Sequence, residues 1–453
     1  MYRPLLNDAA ARALKYLESL RERPVAPDPA GIRNLSTWDI PLPDGPTDPH
    51  EVLSLLDEVG TPATTAMGSP RFFGFVIGGA LPVTVAANWI ATAWDQNTGL
   101  YVSTPATSEL ERIALGWLLD LLRLPKDCGG SFVTGAAVAN LVALAAARHA
   151  MLERAGWDVE SRGLYGAPLL TVVVGAEAHP TVTKALGLLG LGRARVTTVP
   201  VDGQGRMRAD AFPKLEGPSI VCVQVGNVNT GSIDPIAEII PRAKAAGAWV
   251  HVDGAFGLWA AASPKLRPLV AGVEQADSWA TDAHKWLNVP YDCGLAFTRD
   301  AATLRAALAI QAAYLPTSGR DPSHYTPELS RRARGVDVWA ALRTLGRSGV
   351  SEMIERSCQQ AKRFAAGLRA AGFEVLNDVV LNQVLVSFGT PEETERTIAA
   401  IQKDGTCWCG GTVWQGRSAM RISVSCWATT EDDVERSLEA MIRCAKAARA
   451  ATV

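Results

Sequence analysis

The chain has 453 residues, a formal charge of -2, 48% hydrophobic and 20% charged residues, a balance that suits an ordinary globular protein with a large core. Near-neutral charge without a basic stripe argues against nucleic-acid binding. No apolar run reaches the ~18 residues of a membrane span, because the longest, such as Leu164 to Gly175, are broken by Gly and Pro.

The first sixty or so residues read as helical without a strand. Ala10, Leu14 and Leu17 recur at helical spacing with charges between them, which predicts a helix over Ala9–Arg21. A Pro-rich stretch from Pro24 to Pro49 follows, then a short helix over Glu51–Val59. A segment this small has little core of its own and is expected to pack on something else, a second subunit being one option. Met1 to Arg23 is amphipathic and of mixed charge, unlike the apolar centre of a secretory signal, so a cytoplasmic location is expected.

From about Ser69 to Leu315 short β-branched runs alternate with Ala-rich helical runs. Strands are predicted at Leu169–Val174, Ala194–Val199, Ile220–Val225 and Trp249–Val252, with helices at Leu141–Leu152, His179–Leu189 and Ile236–Ala246. This alternation predicts an α/β fold with a mostly parallel sheet covered by helices on both faces. Ligands collect at the carboxyl ends of such strands. Beyond Pro327 two long helices (Arg332–Leu345, Val350–Ala371), strands at Val384–Phe388 and Ala419–Val424, and a final helix Thr429–Ala450 with an acidic start form a second, smaller α/β unit. The expected organisation is 1–68, 69–320 and 321–453.

Eight Cys are scattered along the chain. Only Cys407 and Cys409 stand close, and no second pair lies at zinc-ligand spacing, so free buried thiols and no metal are expected.

The chemistry concentrates in His251-Val-Asp-Gly-Ala-Phe-Gly257 and Thr281-Asp-Ala-His-Lys-Trp286. A strand ends in Asp253, and a His-Lys pair follows a second apolar segment. Pyridoxal phosphate needs a lysine for its aldehyde and a carboxylate to keep its pyridine nitrogen protonated. A tight Gly/Ala turn at Gly135-Ala-Ala137 opens a helix and offers N–H groups to an anion. His179 follows another strand. Taken singly each feature has a blander reading: a surface Lys, a turn-capping Asp, a structural His, a turn that lets a helix approach the sheet. Their order and spacing together point to the cofactor.

On these residues the chain resembles the group II pyridoxal-phosphate amino acid decarboxylases, the fold-type I family of aromatic amino acid, histidine and glutamate decarboxylases. The resemblance runs from Pro70-Arg-Phe-Phe-Gly74 to Arg421-Ile-Ser423 and includes Pro105-Ala-Thr-Ser-Glu-Leu-Glu111 and Asp292-Cys-Gly294. It implies a large domain with a seven-stranded sheet, a small C-terminal domain, and a homodimer with the active site near the subunit boundary. It also implies Lys285 as the Schiff-base lysine, Asp253 on the ring nitrogen, Ala255 against one ring face and His179 stacked on the other. Gly135, Ala136 and Ala137 would hold the phosphate with help from His284, and Asn229 would lie near the ring. The chain departs from the family pattern in having Ala137 and Val138 where a hydroxyl residue and Glu are usual, Gly254 for Ala, and Asp282 where Asn or Ser is usual. A carboxylate beside a phosphate repels it unless it turns away or meets a base.

Fold does not choose among decarboxylation, transamination, aldol cleavage and aldehyde formation. Tyr314 matches the loop tyrosine that protonates the α-carbon in the resembling decarboxylases, where related aldehyde-forming enzymes have Phe. It favours simple decarboxylation of an L-amino acid to the amine and CO2. Phe75, Val76 and Ile77 resemble the segment that lines the substrate pocket, with Trp94 near in sequence, and suggest an aromatic or other apolar side chain. Arg421 is read as structural. An aldolase, aminotransferase or aldehyde synthase on the same site, or a catalytically silent binding homologue, remain the alternatives.

Overall fold

A computed structural model describes residues 2–309 and 320–450; Tyr314 lies outside the described residues. The chain divides into two compact units. The first comprises Met1–Ile77, Arg363–Leu376 and Leu385–Val453, the second Gly78–Lys362 and Asn377–Val384.

The second unit holds the large sheet. Its strands are β1 (Gly129–Val133), β2 (Thr171–Gly175), β3 (Val196–Val199), β4 (Ser219–Gln224), β5 (Trp249–Asp253), β6 (Ser278–Asp282) and β7 (Gly294–Thr298), in the order β1-β7-β6-β5-β4-β2-β3. The mixed α/β class and the seven-stranded, mostly parallel sheet are therefore borne out. Every residue of β1, β4, β5, β6 and β7 is buried, as expected where helices cover both faces. That burial explains why Ile220–Val223 reads as a continuous apolar run rather than an alternating one. The edge strand β3 instead exposes Thr197 and Thr198.

The helix Ala136–Arg154 packs on one face of this sheet. Val142, Leu144 and Ala146 on the helix form one cluster with Val172 and Val174 of β2, Ile220 of β4, Trp249 of β5 and Ala280 of β6. The many alanines let the helix approach the strands closely. Each buried Val or Leu contributes roughly 1.5–3 kcal/mol.

Strand direction positions the site. β2, β4, β5 and β6 are mutually parallel. β7 runs antiparallel to both β6 and β1, so β1 points the same way as the other four. The carboxyl ends of β1, β2, β4, β5 and β6 thus share one edge of the sheet, and the segments following them carry Gly135, His179, Asn229, Ala255 and Lys285.

The first unit contains the helices Tyr2–Ser19, Pro29–Asn34 and Pro49–Ala63 and most of a four-stranded sheet, ordered β10 (Gly410–Trp414), β11 (Arg417–Ser423), β9 (Gln383–Ser387) and β8 (Glu374–Val375). The helix Pro391–Asp404 starts in a capping box between Thr390 and Glu393 and ends at Gly405 with φ 76°, a left-handed stop that glycine allows. Neither Tyr2–Ser19 nor Pro49–Ala63 has a buried residue. The two helices expected beyond Pro327 are present within Arg334–Ala370, separated at Gly346, whose φ 60° and ψ -173° are not helical. No described helix is long and apolar enough to cross a membrane, and all eight cysteines are free.

Inside the second unit, buried polar side chains link strands to helices. Trp249 Nε1 donates to Ser278 Oγ at 2.8 Å, Ser278 Oγ lies 2.9 Å from His251 Nδ1, and His251 Nε2 lies 2.9 Å from Asn140 Oδ1. Asn140 Oδ1 only accepts, so it fixes the proton on Nε2 and leaves Nδ1 to accept from Ser278. Burial pushes the His251 pKa down from 6.5 to about 3. In the unfolded chain this imidazole takes up its proton near pH 6.5, while the folded chain refuses it until about pH 3. The unfolded state then binds more protons across that window, so the stability due to neutral His251 is lost progressively as the pH falls below 6.5. His251→Gln is expected to flatten this acid limb in denaturation experiments run from pH 7 downward, while lowering stability at pH 7 by about 1–3 kcal/mol through broken buried hydrogen bonds. An unchanged acid limb would refute the assignment.

Candidate active site

The site is built where β6 meets the turn after β1. Gly294 pairs with Val133 on one side and with Asp282 on the other, which sets the two turns side by side. A Cβ on Gly294 would stand 2.5 Å from the Gly135 backbone, and one on Gly135 would meet His284 Cε1 at 3.2 Å. Glycine is required at 294 for close approach, not for an unusual φ. The helix Ala136–Arg154 begins here with Gly135 as its N-cap. The N–H groups of its first turn have no intrahelical acceptor, and that of Ala136 donates to Asp282 Oδ1 at 2.6 Å.

Lys285 lies three residues past the end of β6. Its Nζ is 2.9 Å from Asp282 Oδ2, and the Asp282 side chain is 3% exposed. The carboxylate that looked misplaced in the sequence therefore meets a base. His284 accepts the Cys293 N–H at Nδ1, 3.0 Å away, so Nε2 carries its ring proton and faces Asp282 Oδ2 at 3.6 Å. Burial depresses the His284 pKa, and Asp282 opposes that. The Tyr291 ring stacks on His284 with centroids 4.4 Å apart. Gly78 lies against this turn as well: a Cβ there would collide with the Lys285 carbonyl oxygen.

Asp253 ends β5 and is 3% exposed. Its Oδ1 accepts the Ala255 N–H at 3.3 Å, whereas Oδ2 is buried with no hydrogen-bond partner. Burial raises the Asp253 pKa, and the charges of His179 and Lys285 counter this. Ala255 bridges to the neighbouring strand through its carbonyl, which accepts the Asp282 N–H at 2.9 Å.

His179 caps the helix Pro180–Leu188, which starts one residue later than the sequence suggested because Pro180 takes the first helical position. Its Nδ1 accepts from the Thr181 N–H at 3.3 Å and sits 2.8 Å from Thr181 Oγ1, which receives Asn140 Nδ2 at 3.3 Å. The hydrogen-bond chain from Trp249 thus continues through Asn140 and Thr181 to Nδ1 of His179, which accepts, so that Nε2 carries a ring proton. A small cleft lined by Glu177, His179, Gln224 and Asp253 opens at the ends of β2, β4 and β5. Neither Asn140 nor Thr181 stood out in the sequence. A polar residue one turn into an apolar helix was the available signal for Asn140.

The remaining expected residues are less tightly tied to this group. Asn229 lies on the loop after β4, its N–H held by Asn227 Oδ1 at 2.9 Å. Phe75, Val76 and Ile77 belong to the first unit and Trp94 to the second. Val76 is buried, while Phe75 is 59% exposed, has φ 53° and stacks on Trp408 with centroids 5.8 Å apart. Positive φ on a bulky residue is a strained arrangement that functional segments often retain.

These residues fit pyridoxal phosphate. The partnerless buried oxygen of Asp253 is what a protonated pyridine nitrogen requires, and the Cβ-free turn at Gly135 and Gly294 borders a helix start suited to a phosphate. A lysine amine stands at an adjacent strand end. Comparison with known proteins agrees. The pyridoxal-dependent decarboxylase conserved domain matches residues 35–389. Tryptophan decarboxylase 1 of Oryza sativa subsp. japonica is 29% identical over 96% of this chain and 92% of its own, and aromatic-L-amino-acid decarboxylase of Rattus norvegicus is 30% identical over 82% of this chain and 81% of its own. The solved Oryza sativa structure with PLP and tryptamine superposes with a TM-score of 0.89 at 25% identity, covering 98% of this chain and 97% of that one.

Gly294→Ala is expected to force the turns apart, costing about 1–3 kcal/mol of stability and weakening cofactor retention. Denaturation midpoints and absorbance titration with pyridoxal phosphate measure both. A variant unchanged in each would show that the close approach of Gly135 and Gly294 does not shape the site.

Proposed function

The chain belongs to the pyridoxal-dependent decarboxylase family, and from that premise we propose that it removes the carboxylate of an L-amino acid with an aromatic or other apolar side chain, releasing the amine and CO2. The observation that carries the reading is Asp253, a buried carboxylate with one oxygen unpartnered, one strand away from the turn that bears Lys285. The pairing of an aromatic-substrate preference with this chain rests on the relatives' activities and on the exposed aromatic Phe75. Bound pyridoxal phosphate supplies an electron sink conjugated to the substrate's α-carbon, so that the bond to the carboxylate can break.

The chain's own residues then have distinct tasks. Lys285 supplies the amine that holds the cofactor. Asp253, whose Oδ2 lacks any other donor, keeps a proton on the ring nitrogen, and the low local polarity strengthens that pairing. His179, oriented through Thr181, would stack on the ring with a proton at Nε2. Ala255 would pack against the opposite face without bulk. Gly135, Ala136 and Ala137 would offer contacts to the phosphate, with His284 helping from the other side. Tyr314 delivers a proton to the α-carbon once CO2 has left. The expectation that Phe75, Val76, Ile77 and Trp94 meet the substrate side chain rests on the family resemblance.

The protein is also inferred to act as a homodimer with its active sites near the subunit boundary, 1–68 being the dimerisation segment and 69–320 and 321–453 the large and small domains. Support comes from the helices Tyr2–Ser19 and Pro49–Ala63, which leave Leu6, Leu14, Leu55 and Leu56 exposed, more apolar surface than short isolated helices keep in water. The free thiols suit the cytoplasm.

Purified protein with pyridoxal phosphate, offered a panel of L-amino acids, is expected to yield amine and CO2 in equal amounts from an aromatic substrate. Keto acid, or aldehyde without amine, would overturn the reaction assignment. Lys285→Ala should abolish both turnover and the protein-dependent visible absorbance of the cofactor. Tyr314→Phe should cut amine formation by about 10²–10⁴-fold, the usual contribution of a positioned proton donor. Undiminished amine formation would remove Tyr314 from its role.

A further inference from the structure

Asp282 stands out at the site because its two oxygens already hold groups that the proposed function assigns to the cofactor. Oδ1 accepts the N–H of Ala136, the first residue of the helix that would cradle the phosphate, at 2.6 Å. Oδ2 lies 2.9 Å from Nζ of Lys285. The side chain is 2% exposed as a residue, so water does not screen it. Its geometry resists rearrangement: the backbone N–H of Asp282 is bonded to Ala255 at 2.9 Å, its carbonyl accepts Trp259 Nε1 at 3.0 Å, and β6 fixes the residue in register opposite Gly294.

A helix start favours one negative charge and Asp282 provides it. A phosphate brought to the same N–H groups adds a second anion at close range in a poorly screened place, where like charges repel strongly. The lysine is claimed twice as well, since the nitrogen that bonds to Asp282 Oδ2 at 2.9 Å is the one that would attack the cofactor's aldehyde. His284, 3.6 Å from Oδ2, does not offset this, because its burial disfavours the charged form.

We propose that Asp282 is an internal anion that competes with the cofactor for the Ala136 N–H and for Lys285, and so sets the cofactor affinity of this chain below what the same site would have with a neutral residue. The inference rests on Lys285 and the Gly135–Ala137 turn being the cofactor site. It accounts for the carboxylate as a device for reversible loading, in which occupancy follows the supply of free pyridoxal phosphate.

Asp282→Asn is nearly isosteric and keeps an acceptor for Ala136. Wild-type and variant chains are titrated with pyridoxal 5'-phosphate, following the visible absorbance that Lys285→Ala abolishes, and the loaded proteins are dialysed to measure release. The variant is expected to bind about tenfold more tightly or better, which corresponds to 1.4 kcal/mol, and to release the cofactor more slowly. A general structural role for Asp282 would produce the opposite, since damage weakens binding. Pyridoxal, which lacks the phosphate, should gain less from the substitution than pyridoxal 5'-phosphate, and inorganic phosphate should compete better with cofactor in the variant. Asp282→Ser provides the same comparison with a smaller side chain. Equal or weaker cofactor binding by both variants, with Lys285-dependent absorbance intact, would overturn the competition. An equal gain for pyridoxal would overturn its phosphate half. Absence of any Lys285-dependent absorbance in all chains would instead sink the cofactor reading itself.

Discussion

The candidate site depends on a hydrogen-bond chain that runs from the core to its edge. It begins at Trp249 on β5, passes through Ser278 on β6 and His251 on β5, crosses to Asn140 on the helix Ala136–Arg154, and ends through Thr181 at His179. Ser278, His251 and Asn140 are fully buried, so a donor or acceptor left over at any link would cost about 1–3 kcal/mol. The only pattern that satisfies every link has His251 neutral with its proton toward Asn140. That single tautomer fixes the amide orientation of Asn140, which in turn directs the Thr181 hydroxyl hydrogen to Nδ1 of His179. The face that His179 presents is therefore decided inside the sheet. The same chain ties the first turns of the helix Ala136–Arg154 to the body of β5 at His251 and to the first residue of β6 at Ser278.

Two buried carboxylates flank this clamp, and their surroundings set them to opposite tasks. Asp282 is fully engaged, with Ala136 on one oxygen and Lys285 on the other. Asp253 has one weak backbone contact and one oxygen without a partner, and burial raises its pKa while His179 and Lys285 pull it down. Burying a half-satisfied carboxylate is unfavourable, and the strand register on both sides holds it there: Gln224 opposes it on β4 and Ala280 on β6. A cationic nitrogen bonded to Oδ2 would relieve that cost. Asp253 is thus prepared for a ligand, whereas Asp282 already has its counter-charge.

How legible this was in the sequence follows from where each signal resides. β4 and β5 were plain because strands buried on both faces read as unbroken β-branched runs. β1, β6 and β7 were not: Gly129-Gly-Ser, Ser278-Trp-Ala-Thr and Gly294-Leu-Ala carry little strand propensity, and only pairing and burial make them strands. Yet β7 brings Gly294 between the two turns, and so the contact between Asp282 and Ala136 could not be foreseen. The expected roles of Asp253 and His179 were readable because each ends or follows a segment with a strong local pattern, and that of Lys285 was readable from the run Thr281-Asp-Ala-His-Lys-Trp286 rather than from its strand. Their support was not, because Asn140 and Thr181 are ordinary helix residues until the sheet places His251 opposite them. Tyr2–Ser19 and Pro49–Ala63 bury no residue, in keeping with the expectation that so short a stretch has little core of its own.

The family-like segment Pro105–Glu111 shows why some stretches with no evident chemistry nonetheless carry the resemblance. Pro105 opens a helix, and its Glu111 is completely buried with Arg331, at 2.6 Å. Arg331 also donates to the carbonyls of Thr98 and of Phe132 on β1. Breaking such a pair from one side leaves an uncompensated buried charge, a loss of roughly 3–5 kcal/mol. Phe132 lies three residues before Gly135, so the ion pair anchors the strand from which the proposed phosphate turn departs. Arg320 adds a second tie, donating to the Gly130 carbonyl of the same strand at 2.7 Å. Fixed charges that never touch a substrate thus hold β1, and through it Gly135, to the tolerance that a Cβ-free contact with Gly294 demands. Glu111 and Arg331 thus serve the geometry of a turn one strand's length away, which is the physical content of a motif without a reacting atom.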